Sequence, residues 1–140
     1  MSKQSVRIPD GHPTFGSTVV FDTFKYAPGV KAGGLLFVAG QVGLRADGSM
    51  PESASEQADW AFRRLGVVLE SAGLGFADLV EIVSYHVDVE HELAGFREVK
   101  DRYITGDFPA WTILGVAALA RPALRVEIRA VAALKTAQAG

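Results

Sequence analysis

The 140-residue chain carries 14 Lys plus Arg against 16 Asp plus Glu, a formal net charge of −2, and 49 % of its residues are hydrophobic. That length and apolar content suit one domain around one core, and a balanced charge with no basic run argues against nucleic acid as a partner. There is no cysteine, which excludes disulfides, thiolate metal sites and a cysteine nucleophile and suits a reducing compartment such as the cytoplasm. The first residues lack the apolar segment of a signal peptide, and no run of about 18 apolar residues occurs. A soluble, cytoplasmic protein that does not engage a membrane is therefore the expectation.

Pro9, Gly11, Pro13 and Gly16 make residues 1–16 an expected irregular arm, leading into a single domain over residues 17–140. Ser17 to Tyr26 is rich in β-branched and aromatic residues and predicts a first strand, after which Tyr26-Ala27-Pro28-Gly29 turns the chain. Leu35 to Gly40 is a short apolar run between glycines, the pattern of a strand buried on both faces. Asp47-Gly48 marks a turn.

Ser53 and Glu56 have the spacing of a capping box, and Ala58, Ala61, Phe62, Leu65, Val68, Leu69 and Ala72 follow at helical intervals until Gly73. Leu79 to Val89 alternates, which predicts a strand with Val83, Tyr85, Val87 and Val89 on an apolar face and Ser84, His86 and Asp88 on a polar one. A second amphipathic helix, about Glu90 to Ile104, puts Leu93, Phe96, Val99 and Tyr103 on one stripe. Trp111 to Leu119 and Leu124 to Leu134 predict the last two strands, with a turn around Ala120-Arg121-Pro122. This order gives an α+β fold in which two helices cover one face of a mixed sheet. The other face of so short a chain needs a cover, and oligomerisation supplies one.

Several segments, taken in order, resemble the YjgF/RidA family: Tyr26-Ala27-Pro28-Gly29-Val30-Lys31-Ala32-Gly33, Phe37-Val38-Ala39-Gly40-Gln41, Phe76-Ala77-Asp78-Leu79-Val80, Phe108-Pro109-Ala110 and Val126-Glu127-Ile128-Arg129-Ala130. The match runs over residues 24–134. The resemblance implies a chorismate-mutase-like fold assembled as a homotrimer, with ligand pockets between subunits. Deaminase members use an arginine after the Pro-Ala pair to hold a substrate carboxylate and a last-strand glutamate to orient water. On this chain, the resemblance makes Glu127 the candidate catalytic residue and Tyr26 the pocket tyrosine. Trp111 stands in place of the arginine, Ala39 where serine is frequent, and Arg97 where a helix asparagine is common, so these three are candidates for substrate binding. An indole offers neither the charge nor the paired hydrogen bonds of a guanidinium, so a carboxylate clamp does not carry over at that position.

Residue chemistry alone leaves alternatives open. Glu127, between Val126 and Ile128, suits a water-orienting base or an ion pair with Arg125 or Arg129. Trp111 suits stacking on a planar ligand or filling a core or subunit interface. Ser84, His86 and Asp88 along one strand do not converge as a triad does and read as polar residues at an interface. His86 and His91 match no metal-ligand spacing, and the glycines form neither a dinucleotide fingerprint nor a phosphate loop, so no metal or cofactor is indicated. Arg63, Arg64, Arg97, Lys100 and Arg102 read as solvated helix faces. The expected function is an enamine or imine hydrolase of the deaminase type acting on a small metabolite. The alternatives are a non-catalytic ligand-binding or regulatory trimer and, less favoured by the charge balance, an endoribonuclease inhibiting translation.

Overall fold

The computed structural model describes residues 2–135. Within them, strands β1 (Gln4–Val6), β2 (Gly29–Ala32), β3 (Leu35–Val42), β4 (Leu79–His86), β5 (Ala110–Gly115) and β6 (Val126–Ala133) form one sheet in the order β1-β2-β3-β6-β4-β5. Neighbours are antiparallel except β4 and β5. A parallel pair needs a crossover, and helix α3 (Val89–Tyr103) provides it. Helix α2 (Ala54–Ser71) packs against α3, β3 and β6, and α3 also meets β4, so both long helices cover the same face of the mixed sheet, as the sequence predicts.

The apolar stripe of α2 accounts for the core. Ala58, Ala61, Phe62, Leu65, Val68 and Leu69 lose all solvent contact, each large side chain contributing roughly 1.5–3 kcal/mol of transfer free energy. Phe62 stacks on Tyr103 at 5.2 Å and tilts against Phe96 at 5.6 Å. Ser53 caps the helix, its Oγ accepting the Glu56 N–H at 3.0 Å. The Glu56 carboxylate lies near Arg45, at 3.6 Å, so the cap is held from one side. Gln57, fully buried, donates through Nε2 to the carbonyls of Pro51 and Ala123, both at 2.9 Å, and accepts the Arg125 N–H at 2.8 Å. One neutral amide thus ties α2 to two loops.

Several expectations change. Ser17 to Tyr26 does not form a strand: Val19–Phe24 is a short helix, α1, closed by Lys25 in the left-handed conformation at φ 58°. Ser17 Oγ accepts the Val19 N–H and Asp10 Oδ1 accepts the Thr18 N–H, and these local bonds outweigh β-branched propensity in a segment with no fully buried residue. The arm expected to be irregular includes β1, paired with β2 from Gln4↔Lys31 to Val6↔Gly29. The run in β3 is buried on one face only: Leu36, Val38 and Gln41 are covered, whereas Phe37 is 47 % exposed.

The faces of β4 are also reversed. Ile82, Ser84 and His86 point beneath the helices and are buried, and the strand stops at His86. The polar residues therefore lie in the core, where Ser84 Oγ and His86 Nε2 satisfy each other at 2.8 Å and the imidazole meets Phe96 edge-on at 4.7 Å. Burial lowers the His86 pKa, which favours the neutral ring. Asp88 is not in the strand; it precedes α3 and pairs with the exposed His91 at 2.9 Å. No helix of the described residues is long and apolar enough to cross a membrane.

Candidate functional site

Glu127 belongs to β6, where Val126, Ile128, Ala130 and Ala132 face the helices and are buried. It therefore points to the uncovered side, in register with Tyr85 on β4 and Val42 on β3. The β3–β6 ladder shifts between Val38 and Gln41, leaving Ala39 and Gly40 in an irregular stretch where the Ala39 N–H donates to the Pro28 carbonyl at 3.0 Å. Gly40 leaves room there: a Cβ on it would lie 2.1 Å from Glu127 Oε2. The missing side chain is the space the carboxylate occupies.

Glu127 has no ion-pair or hydrogen-bond partner among the described residues. Arg125 is committed elsewhere, its Nη2 to Glu92 Oε1 and its N–H to Gln57, and Arg129 is exposed. Partial burial without a partner raises the Glu127 pKa, because desolvation disfavours the charged form. Tyr26, which follows α1 and meets Phe21 edge-on at 5.0 Å, lies close enough to feel that charge. Its pKa is raised by burial and then by Glu127, with Arg64 acting the other way. The phenol keeps its proton and is a hydrogen-bond donor across the neutral range.

Next to this pair is a cavity of about 230 Å³ whose lining includes Phe15, Tyr26, Gly40, Gln41, Val42 and Arg64. Arg64 is the residue that sequence reasoning misplaced. Expected on a solvated face, it is only 8 % exposed. Arg63 beside it keeps the expected surface position, half exposed, with its Nε 2.9 Å from Asp59. The signal was the stripe of α2 itself, since 64 is three residues after Ala61 and four before Val68, both fully buried.

Trp111 is not in that cavity. It pairs in register with Ile82 on the helix-covered face, its indole N–H donates to Ser84 Oγ at 2.8 Å, and its ring tilts against Phe96 at 5.9 Å beneath the Lys100 ammonium at 4.8 Å. Arg97 is exposed on α3. The structure thus brings together Glu127, Tyr26 and the Ala39-Gly40 backbone. Trp111 lies on the other side of the sheet, away from this cluster.

The family model described as Endoribonuclease L-PSP matches residues 21–134. The chain is 34 % identical over 106 residues to the RutC family protein YjgH of Escherichia coli (strain K12), covering 75 % of this chain and 81 % of that one. It is 32 % identical over 109 residues to the 2-iminobutanoate/2-iminopropanoate deaminase of Mus musculus, covering 76 % and 79 %. Among solved structures it is similar to that of Protein YJGH, with a TM-score of 0.82, 30 % identity and coverage of 96 % and 98 %. It also resembles a member of the YjgF/YER057c/UK114 family from Mycobacterium tuberculosis, with a TM-score of 0.78, 26 % identity and coverage of 95 % and 100 %.

Proposed function

The chain belongs to the endoribonuclease L-PSP family, the YjgF/RidA group, and from that premise we propose that it hydrolyses a small imine or enamine in the cleft beside Glu127. The observation that carries the reading is the half-buried, unpartnered carboxylate held against Gly40, next to a protonated Tyr26. Some relatives are named as 2-iminobutanoate/2-iminopropanoate deaminases, and their chemistry needs little more than these groups. Water adds to the carbon of the protonated imine while Glu127 takes one of its protons, giving the carbinolamine; Glu127 returns that proton to nitrogen, and ammonia leaves as the hydroxyl proton passes to solvent, leaving the ketone. An elevated carboxyl pKa suits a group that must accept and release one proton in each turnover. Tyr26 donates a hydrogen bond to the developing oxygen or to the substrate.

The working form in this proposal is a homotrimer. Phe37 and Leu114, on strands of the open sheet face, are 47 % and 43 % exposed, and large apolar groups on a bare sheet call for a partner surface. Packing of copies there would also close the cleft beside Glu127 and Tyr26 with a surface of the next subunit. Light scattering is expected to report about three times the 14.9 kDa of one chain; a monomer at micromolar concentration would remove the shared cleft.

Turnover is tested by generating a 2-imino acid with an amino-acid oxidase and following its loss. Acceleration by the wild type that disappears in Glu127→Gln, with the fold retained, is the expected result, and an inert wild type would sink the hydrolase reading. The inward-turned Trp111 favours a second reading in that case: a trimer that binds a metabolite in the same cleft without transforming it.

A further inference from the structure

Arg64 is a cation in an unusual setting. Its Nε donates to the Leu44 carbonyl at 2.7 Å and its Nη2 to the Arg45 carbonyl at 3.0 Å. The guanidinium carbon sits 4.6 Å from the centroid of the Phe15 ring. Among the described residues no carboxylate comes within ion-pair distance of it. Nη1 has no hydrogen-bond partner and is not among the sealed, unsatisfied atoms of the core, and Arg64 lines the cavity. Asp47, also on that lining, turns Oδ1 to the N–H and hydroxyl of Ser49.

A charge is not needed to hold two loop carbonyls. Gln57 does the same for Pro51 and Ala123 with a neutral amide. A guanidinium at position 64 adds a desolvated positive charge, which is unfavourable unless an anion accompanies it. The cavity provides room for one, about 230 Å³, or several times the roughly 30 Å³ share of a water molecule. Tyr26 and Gly40 stand on the same lining, and Glu127 lies directly behind Gly40.

We propose that Arg64 is the anion-binding residue of this cleft, so that the site selects a small ligand bearing a carboxylate, held from the α2 side instead of from position 111. The inference rests on the reading that the Tyr26–Glu127 cleft is the ligand site. Arg64 and Glu127 then give the cleft two poles from one chain: the acid group faces Nη1, and the adjoining electrophilic carbon faces the glutamate. Replacement of the arginine by Trp111 moves the positive charge to another wall.

Calorimetric titration of the full-length protein with 2-oxobutanoate, the ketone left by hydrolysis of 2-iminobutanoate, and with its uncharged counterpart 2-oxobutanamide, tests this. Wild type is expected to bind the acid more tightly than the amide by on the order of tenfold to a hundredfold, the range for a charge-assisted hydrogen bond. Arg64→Met is expected to erase that preference while leaving affinity for the amide unchanged. Equal weakening of both ligands, as a purely structural Arg64 would give, overturns the proposal, as does a wild type with no preference or no binding. Should Arg64→Met fail to fold, the Arg64 Nε–H resonance of the wild type decides: it must move with the acid and not with the amide, and an unmoved signal overturns the proposal. Glu127→Gln keeps the acid preference, so a wild type that discriminates acid from amide but hydrolyses no imine refutes the catalytic reading alone.

Discussion

The indole N–H of Trp111 donates to Ser84 Oγ at 2.8 Å, and with this bond the side chain lies beneath α3 and turns away from the face that carries Glu127. Ser84 also meets His86 at 2.8 Å, so the three residues form one polar chain in an otherwise apolar layer. Trp111→Phe removes the donor and is expected to lower stability by about 1 kcal/mol. Trp111→Arg additionally sets a guanidinium near the Lys100 ammonium, which is 4.8 Å from the indole, and is expected to cost about 2–3 kcal/mol. Urea unfolding of the two variants checks the order; an arginine variant as stable as wild type would show that position 111 is free to turn outward.

Gln57 supplies a second stability test. Three of its polar atoms' bonds run to backbone groups of two loops, and the side chain is fully buried. Gln57→Leu preserves volume but strands two carbonyls and one N–H, each worth roughly 1–3 kcal/mol when buried unpaired. A loss of about 3 kcal/mol or more in chemical denaturation is expected, and a loss below about 1 kcal/mol would mean that water replaces the amide.

The elements with a strong period were legible in the sequence. The α2 stripe from Ala58 to Ala72 matches the burial found, and in the α3 stripe Phe96 and Val99 are buried and Tyr103 packs against the core, while Leu93 is only partly covered, because a helix that seals a core has one face and its pattern states which. The strands were legible in place but not in orientation. In β4, Val83 and Ser84 are both buried, and alternation cannot say which face the helices cover when a serine and a histidine satisfy each other inside. Ser17 to Tyr26 predicts a strand that does not form, because β-branched content says little on a surface where Asp10 and Ser17 cap backbone N–H groups. Glu127 and Tyr26 follow from family resemblance, and the buried side of Arg64 from the α2 stripe, whereas the partners of its guanidinium are the Leu44 and Arg45 carbonyls. That contact is between elements twenty residues apart, and no local pattern records it.

Gly40 makes the link between backbone and chemistry testable. A methyl group there would sit 2.1 Å from Glu127 Oε2 and 2.8 Å from its carboxyl carbon. The obstacle is the end of a flexible side chain, so Gly40→Ala is expected to move the carboxylate at a stability cost of about 1–2 kcal/mol. The same displacement takes the base off the reacting carbon, and kcat/KM is expected to fall by on the order of a hundredfold. Assay and denaturation of one preparation check both; large unfolding with full specific activity in the folded fraction would contradict the placement of Glu127 at the chemistry.

The pH dependence follows from the same carboxyl. Burial raises its pKa above the ordinary 4.5, so the protonated form is favoured in the fold. Its contribution to stability is therefore full below the unfolded value and is lost as pH rises through the folded value. Glu127→Gln, which removes the ionisation, is expected to raise Tm by on the order of a few degrees at about pH 7. That gain should shrink toward zero as the pH falls below the unfolded carboxyl range. Activity has the opposite requirement, because only the carboxylate can take a proton from water. The acid limb of kcat/KM is expected to lie above the range of an ordinary glutamate and to follow the loss of the Tm difference on the same axis. Melting curves and rates measured from about pH 4 to 8 on wild type and Glu127→Gln test the coincidence. An activity limb with no matching change in relative stability would assign the titrating group to another residue.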